Sequence, residues 1–296
     1  MFHYPRLTIQ TISFRLRTND LTMLSIIFET SERGDTLNWV KDAILNSELE
    51  LLAFEGYTVK NSKVSMLLDR GCFEQAPNSI NPDELFQTLL SNKNFQLEAK
   101  IKFSEKINCP YVFFAYSYST NESALFHLTK GAAKMVKIFS TLKEFADWTM
   151  KYRDLVMSSA YQESGLPKID IAMRKLGIPW PGNLDYALLK DKTPTALIEF
   201  QRTTKASVQS HCNNNWFLSS GYRKGDVNRW RAIDIIRKQV DLPLLVIVWS
   251  TNEKNIKLKL VEKIIYPEEP ETPKGLRYKK KEMMEIAHLL EILNCF

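Results

Sequence analysis

Residues 181–204 read PGNLDYALLKDKTPTALIEFQRTT, and this stretch decides the fold that the sequence predicts. A Pro-Gly-Asn turn opens it, and two runs rich in apolar residues follow at 184–190 and 195–202. Turn residues separate the two runs, which is the pattern of two strands joined by a short loop. We therefore predict a β-hairpin here.

Two carboxylates are built into this hairpin. With its turn centred on Lys192 and Thr193, Asp185 on the first strand lies across from Glu199 on the second. Side chains alternate along a strand, so Glu199 and Gln201 share one face. Two converging carboxylates are oxygen ligands of the kind that a hard divalent cation prefers.

The segments around the hairpin predict helices and a further strand. Residues 168–176 form a short helix before it, and residues 226–240 form a longer basic helix after it. Residues 242–250 read as a strand buried on both faces, since they are almost continuously apolar. The order helix, strand, strand, helix, strand predicts an α/β (α+β) fold with a mixed central sheet flanked by helices.

More distant segments give further helix predictions. Asn81 caps a helix that runs to residue 90, and Thr141 caps another that begins with a Ser-Thr pair. A helical stretch is predicted over residues 145–161. The apolar spacing of residues 276–293 predicts a C-terminal packing helix, a candidate dimer interface.

The 296-residue chain carries a formal net charge of +6 that is divided unequally. Residues 1–150 hold 16 Lys/Arg and 17 Asp/Glu, a balance of −1, whereas residues 151–296 hold 24 and 17, a balance of +7. We predict an N-terminal α+β domain over 1–150, serving DNA recognition or dimerisation, and a catalytic domain over 151–296. A basic half that contains paired acids indicates a polyanion partner, with a metal between protein and phosphate.

Several function classes are excluded. The sequence has no run of eighteen apolar residues and no signal-peptide pattern, so we expect no membrane span and a cytoplasmic location. The four cysteines and four histidines are scattered, which argues against structural zinc and a disulfide framework. No nucleotide cofactor is indicated.

Asp185, then Glu199-Phe200-Gln201 fourteen residues on, followed by a basic helix and a buried strand, resembles the PD-(D/E)XK nuclease superfamily, in particular restriction-endonuclease-like proteins. The resemblance covers roughly residues 155–255. It implies a restriction-endonuclease-like core and metal-dependent cleavage of DNA.

The resemblance also implies roles for individual residues. Asp185 and Glu199 would hold Mg²⁺, with the backbone carbonyl of Phe200 as a possible third ligand. Position 201 departs from the pattern, since it is Gln rather than Lys. Gln201 can orient water and hydrogen-bond a phosphate oxygen but carries no charge, so the metal must supply more of the activation. Lys205 is a second candidate for the missing charge.

Many members of the superfamily take a third acid from the helix before the hairpin. Glu163, in the segment YQESG, is favoured as a catalytic and metal-binding residue. Asp170 is the competitor, although a carboxylate near a helix start has a structural use at the helix dipole.

Basic residues after the hairpin are candidates for DNA contact. Eight Lys/Arg and two Asp lie between residues 201 and 240, and the residues expected to meet DNA are Arg202, Lys205, Arg223, Lys224, Arg229 and Arg231. Since Arg229 and Arg231 cannot point the same way on a helix, one of them is expected to pair with Asp226 or Asp234. His211 is a candidate base or phosphate donor, and a structural role is the alternative.

The sequence thus predicts a Mg²⁺-dependent endodeoxyribonuclease, with a sequence-specific type II restriction enzyme as the leading interpretation. Cutting both strands of double-stranded DNA favours a homodimer. One alternative is a repair or defence nuclease that reads DNA structure or damage. Another is a metal-free DNA-binding protein on the same scaffold, with Gln201 as the sign of lost catalysis.

Overall fold

A computed structural model of the chain describes residues 24–29, 47–156, 166–203, 207–211, 224–250, 253–271 and 274–296. Its strands are β1 (Ile26–Ile27), β2 (Leu49–Lys60), β3 (Lys63–Phe73), β4 (Tyr111–Tyr116), β5 (Ser123–Thr129), β6 (Ala132–Phe139), β7 (Gly182–Lys190), β8 (Thr193–Arg202), β9 (Leu244–Trp249), β10 (Asn255–Ile265) and β11 (Gly275–Glu285). Its helices are α1 (Pro82–Ser91), α2 (Leu97–Lys106), α3 (Leu142–Met150), α4 (Lys168–Lys175), α5 (Lys224–Val240) and α6 (Leu289–Leu293), with 3₁₀ turns at Pro77–Ser79 and Ile286–His288. The chain is therefore mixed α/β.

One large mixed sheet contains all of the described strands, in the order β11-β10-β9-β8-β7-β2-β3-β4-β5-β6, with β1 pairing β3. The long strand β2 joins the two halves of the chain. Its first part is antiparallel to β7, with Leu52 opposite Ala187, and its last residues pair with β3. Strand pairing thus continues across the boundary that the sequence places near residue 150.

The hairpin of the opening stretch is β7 and β8. Lys190 pairs with Thr193, so the turn is Asp191-Lys192, one residue earlier than predicted. Both turn residues have positive φ, 49° and 58°, as a two-residue turn of type I′ requires. From β8 the chain crosses through α5 to β9, which lies parallel to β8 with Glu199 opposite Val246.

The two faces of the sheet have separate cores. One face, called the α5 face below, packs against α1, α2 and α5 and contains Tyr57, Leu184, Leu197 and Trp230. The opposite face packs against α3, α4 and α6; its strand residues include Leu68, Cys72, Leu188 and Ile198. Burial on both faces explains why β9 is apolar throughout.

The helix caps predicted from the sequence are confirmed. The Asn81 side chain accepts from the backbone N–H of Asp83 at 2.8 Å, and the Thr141 hydroxyl accepts from that of Glu144 at 3.2 Å. Each side chain satisfies an N–H group that has no partner within its helix.

Two helix predictions are wrong. The helix expected over 145–161 ends at Met150, where a turn follows, and residues 157–165 lie outside the described part of the chain. The C-terminal helix expected over 276–293 is mostly the strand β11, and only Leu289–Leu293 is α-helical. β11 forms a ladder with β10 along its whole length, so pairing with a distant strand outweighs the local helical spacing.

Within the described segments, we find no helix that combines the length and the apolar character needed to cross a membrane.

Candidate functional site

Asp185 and Glu199 meet on the α5 face, near the carboxyl ends of the parallel strands β8 and β9. Tyr186 pairs with Ile198, which brings the preceding Asp185 beside Glu199. The backbone N–H of Phe200 donates to Asp185 Oδ2 at 2.9 Å, so the acid of β7 is tied to the main chain of β8. The structure therefore brings together the two acids that the sequence paired.

Both carboxylates are removed from solvent, with Asp185 6% and Glu199 1% exposed. A carboxylate at this depth is costly unless a cation or hydrogen bonds accompany it. The cation is Arg229 of α5, whose Nη2 forms an ion pair with Glu199 Oε1 and lies 3.8 Å from Asp185 Oδ1. One guanidinium nitrogen thus lies between two acids.

This position differs from the one expected for Arg229. The sequence assigns it to DNA contact, whereas in the structure the guanidinium lies against the acids and is only 25% exposed. Helix α5 packs its Trp230 and Ile233 into the core of the α5 face. Arg229, which precedes Trp230, projects at the edge of that core toward β7 and β8. The pairing could not be read from α5 alone, since both acids belong to other elements.

Phe200 and Gln201 follow Glu199 near the end of β8. Gln201 is half-buried, pairs with Val248, and by strand alternation lies on the same face as Glu199. The Phe200 ring lies on the opposite face, edge-on to Tyr186 with centroids 5.7 Å apart, so that only its main chain is at the acids.

The structure separates the two candidates for a third acid. Asp170 lies in the first turn of α4, where it forms an ion pair with the buried Arg70 of β3, and Arg70 also contacts Glu55 at 3.2 Å. Arg70 alternates with Leu68 and Cys72 on the opposite face of the sheet, so Asp170 does not reach Asp185 or Glu199. Glu163 lies outside the described residues.

Tyr57 is a site residue that the sequence did not reveal. It belongs to β2, pairs with Gly182 at the start of β7, and is fully buried on the α5 face. Burial raises the pKa of its hydroxyl far above the ordinary range; the charge of Arg229 lowers the pKa, and those of Glu199 and Asp185 raise it. The N-terminal half of the chain therefore contributes to the surroundings of the acids, although no motif in that half indicates it.

The acid pair fits a hard divalent cation in its donor type. Mg²⁺ in proteins is commonly held by one or two carboxylates together with water and substrate phosphate oxygens. Within the described residues no third His, Cys, Asp or Glu side chain joins the two acids in a group that could hold a metal. A cation between them requires Arg229 to move, because like charges repel strongly at low dielectric.

The other predicted DNA contacts do not gather at the acids. Arg202 is exposed and lies over the Trp249 ring at 5.5 Å on the opposite face, while Arg231 pairs with Glu268 on the surface. Lys205 and Arg223, and the side chain of Lys224, are outside the described residues.

The expected pairing of Arg229 or Arg231 with Asp234 is wrong. The Asp234 carboxylate is held by Arg237 Nε at 2.6 Å and by Lys238 Nζ at 2.6 Å, since these side chains lie three and four residues further along α5. The side chain of Asp226, the alternative partner, is not among those described.

A buried lysine of β10 lies on the α5 face, separated from the acids by β9. Lys259 of β10 is 2% exposed and pairs with Val246, the residue opposite Glu199, so it lies two strands from that acid.

Burial, with the charges of Lys259 and Lys257, lowers the pKa of His211 from 6.5 to about 4. His211 is therefore neutral at physiological pH and offers no positive charge to a phosphate.

A second buried charge cluster on the α5 face is structural. Asp69 of β3 accepts from Lys100 Nζ at 2.7 Å, from the Tyr111 hydroxyl at 2.5 Å and from the backbone N–H of Glu55 at 3.1 Å. Lys100 also lies over the Phe95 ring at 4.2 Å. With its oxygens engaged in this way, Asp69 serves to join β2, β3, β4 and α2.

Comparison with known proteins adds little to this geometry. No protein-family model matches the chain, and no curated protein matches it. Among solved structures, the crystal structure of the sex pheromone staph-cAM373 precursor is similar over 90% of this chain and 86% of that one, at 9% sequence identity and a TM-score of 0.16. A likeness of this size carries no argument about fold or function.

Proposed function

We propose that the chain is a Mg²⁺-dependent endodeoxyribonuclease with a restriction-endonuclease-like core. The observation that carries the proposal is the pair of buried acids, Asp185 and Glu199, near the carboxyl ends of β8 and β9. The positively charged guanidinium of Arg229 lies between the two carboxylates. Ligand sites in open α/β sheets lie at this edge of the strands. The order of hairpin, crossover helix and parallel strand is also that implied by the resemblance to PD-(D/E)XK nucleases.

The two carboxylates would hold the divalent cation, which supplies an activated water and polarises the scissile phosphate. Gln201, on the same face, orients the attacking water and donates to a phosphate oxygen. With the acids holding a cation, the Arg229 guanidinium would lie against the phosphate instead, where its planar fork of donors would bind an oxyanion well.

In this proposal Arg229 supplies the positive charge that is missing because position 201 is Gln rather than Lys. A lysine in the E-x-K element would bring one positive charge to the reacting phosphate, and Gln201 brings none. Arg229 brings that charge from α5 instead of β8. In this arrangement charge stabilisation comes from Arg229 and water orientation from Gln201.

The substrate is double-stranded DNA, and sequence-specific cleavage by a homodimer is the leading form of the proposal. The excess of basic residues in the second half favours a polyanion, and a two-fold protein matches a palindromic site.

Plasmid cleavage tests the proposal. We expect the wild type with Mg²⁺ to yield discrete bands, and Asp185→Asn and Glu199→Gln to abolish them, while Glu268→Gln on the surface retains full activity. A smear, or nicks confined to branched or damaged substrates, would select the repair or defence nuclease. No cleavage by the wild type with Mg²⁺, Mn²⁺ or Co²⁺ would refute a nuclease.

The ion pair of Arg229 with the acids favours one other candidate, a metal-free DNA-binding protein on this scaffold. In that case the guanidinium is the permanent counter-ion of the acids. Titration calorimetry distinguishes the two, because a nuclease binds Mg²⁺ in a manner that Glu199→Gln removes. Salt-dependent DNA binding with no heat of metal binding and no cleavage would establish the alternative.

A further inference from the structure

Tyr57 comes from the half of the chain that carries no nuclease motif, yet the sheet places it beside the acids. It pairs with Gly182, three residues before Asp185 on β7. Because β7 and β8 are antiparallel, the start of β7 lies beside the end of β8, where Gln201 is found. Tyr57 therefore lies toward the same end of these strands as Asp185 and Glu199, and on the same face of the sheet.

The hydroxyl of Tyr57 is unusual for a core group. The side chain is 0% exposed, and among the described residues the hydroxyl has no hydrogen-bond partner. Burying a hydroxyl in that way costs free energy, and a phenylalanine would fill the same space without the cost. Tyr111, also 0% exposed, shows the ordinary arrangement, since its hydroxyl donates to Asp69 Oδ2 at 2.5 Å.

The charges around the Tyr57 hydroxyl indicate what it can bind. Arg229, Glu199 and Asp185 all act on it; a tyrosine hydroxyl is protonated at neutral pH, and burial raises its pKa further. It is therefore a hydrogen-bond donor beside the place where a phosphate would arrive. With Arg229 at Glu199, the hydroxyl is bonded to neither carboxylate, so an acceptor has still to be supplied.

We propose that Tyr57 is a positioning residue whose hydroxyl donates a hydrogen bond to a phosphate oxygen of the DNA strand held at Asp185 and Glu199. This inference rests on the proposed nuclease function. When Arg229 turns from the acids to the phosphate, the space next to Tyr57 opens to the same phosphate group. Arg229, Gln201 and Tyr57 then supply donors from three different elements, α5, β8 and β2.

Tyr57→Phe tests the proposal, because it removes the hydroxyl and keeps the ring. DNA affinity is measured by fluorescence anisotropy with a pool of random-sequence duplexes and Ca²⁺ in place of Mg²⁺. A hydrogen bond to a charged phosphate predicts a loss of affinity of about tenfold or more. Ca²⁺ affinity of the DNA-free protein, measured by calorimetry, should be unchanged, and its melting temperature unchanged or higher.

Tyr111→Phe is the matched control. It removes a hydroxyl from the same face of the sheet, but one that is bonded to Asp69. We expect it to lower the melting temperature and to leave DNA affinity unaltered, the reverse of Tyr57→Phe.

Three outcomes would overturn the inference. Wild-type affinity in Tyr57→Phe, with DNA binding by the wild type intact, overturns the role of Tyr57 and leaves the nuclease proposal standing. A lowered melting temperature of DNA-free Tyr57→Phe together with unchanged affinity shows a structural hydroxyl. A wild type that binds neither Ca²⁺ nor DNA overturns the inference and the nuclease proposal together.

Discussion

Replacing Arg229 by methionine should leave two buried carboxylates without their cation while keeping most of the apolar stem. Asp185 lies 3.8 Å from Nη2, and at an effective dielectric of about 20 one such pair contributes about 4 kcal/mol of attraction. Breaking a buried ion pair by removing one partner costs about 3–5 kcal/mol in measured cases. Because the Arg229 side chain is 25% exposed, we expect a loss near the lower end, about 3 kcal/mol of unfolding free energy.

Urea denaturation at neutral pH without divalent cations measures this loss. Arg231→Met is the matched control, two positions along the same helix. Arg231 pairs with Glu268, whose side chain is 58% exposed, so its removal should cost no more than about 1 kcal/mol.

Mg²⁺ should restore stability to Arg229→Met more than to the wild type, since a divalent cation can take the place of the guanidinium between Asp185 and Glu199. Equal unfolding free energies for Arg229→Met and the wild type, or equal losses in Arg229→Met and Arg231→Met, would refute the idea that Arg229 neutralises the acids.

Three other perturbations test the fold. Lys100→Met removes the buried cation of Asp69 and should lower the unfolding free energy by about 3–5 kcal/mol, whereas the exposed Lys143→Met should cost less than about 1 kcal/mol in the same urea titration. Gly71→Ala places a Cβ within 2.5 Å of a β1 side chain and should cost about 1–3 kcal/mol by overpacking, which thermal unfolding would detect; an unchanged melting temperature would contradict the close packing of β1 on β3. The pKa of His211 is lowered to about 4, so its stabilising contribution is present above pH 6.5 and is lost as the pH falls toward 4. His211→Asn should therefore show a smaller loss of stability than the wild type over that interval, and parallel pH profiles would argue against a half-buried neutral imidazole.

Local patterns in the sequence predicted the hairpin, the caps of α1 and α3, and the buried strand β9. Each of these depends on residues close together in the chain: the turn before β8, Asn81 or Thr141 before a helix, and an apolar run at 244–249. The convergence of Asp185 and Glu199 follows from strand alternation once the hairpin is placed.

Features that depend on distant pairing could not be predicted in this way. Residues 276–293 carry helical spacing, but β10 offers residues 275–285 a ladder of backbone hydrogen bonds that decides the outcome. Arg229 meets acids from β7 and β8, and Tyr57 reaches the site because β2 pairs with β7. A buried tyrosine in a strand such as β2 has no local signal that distinguishes it from any other core aromatic.

The pairing of β2 with β7 bears on how the chain emerges from the ribosome. Strand β2 is synthesised early, but the strand that covers its β7-facing edge is made only after α1 to α4 have been completed. During that interval the backbone N–H and C=O groups along residues 49–57 have no strand on that side and are open to strands of other molecules. The nascent protein should therefore be most prone to aggregation just before residue 190 leaves the exit tunnel, and chaperone binding should be concentrated in the same interval.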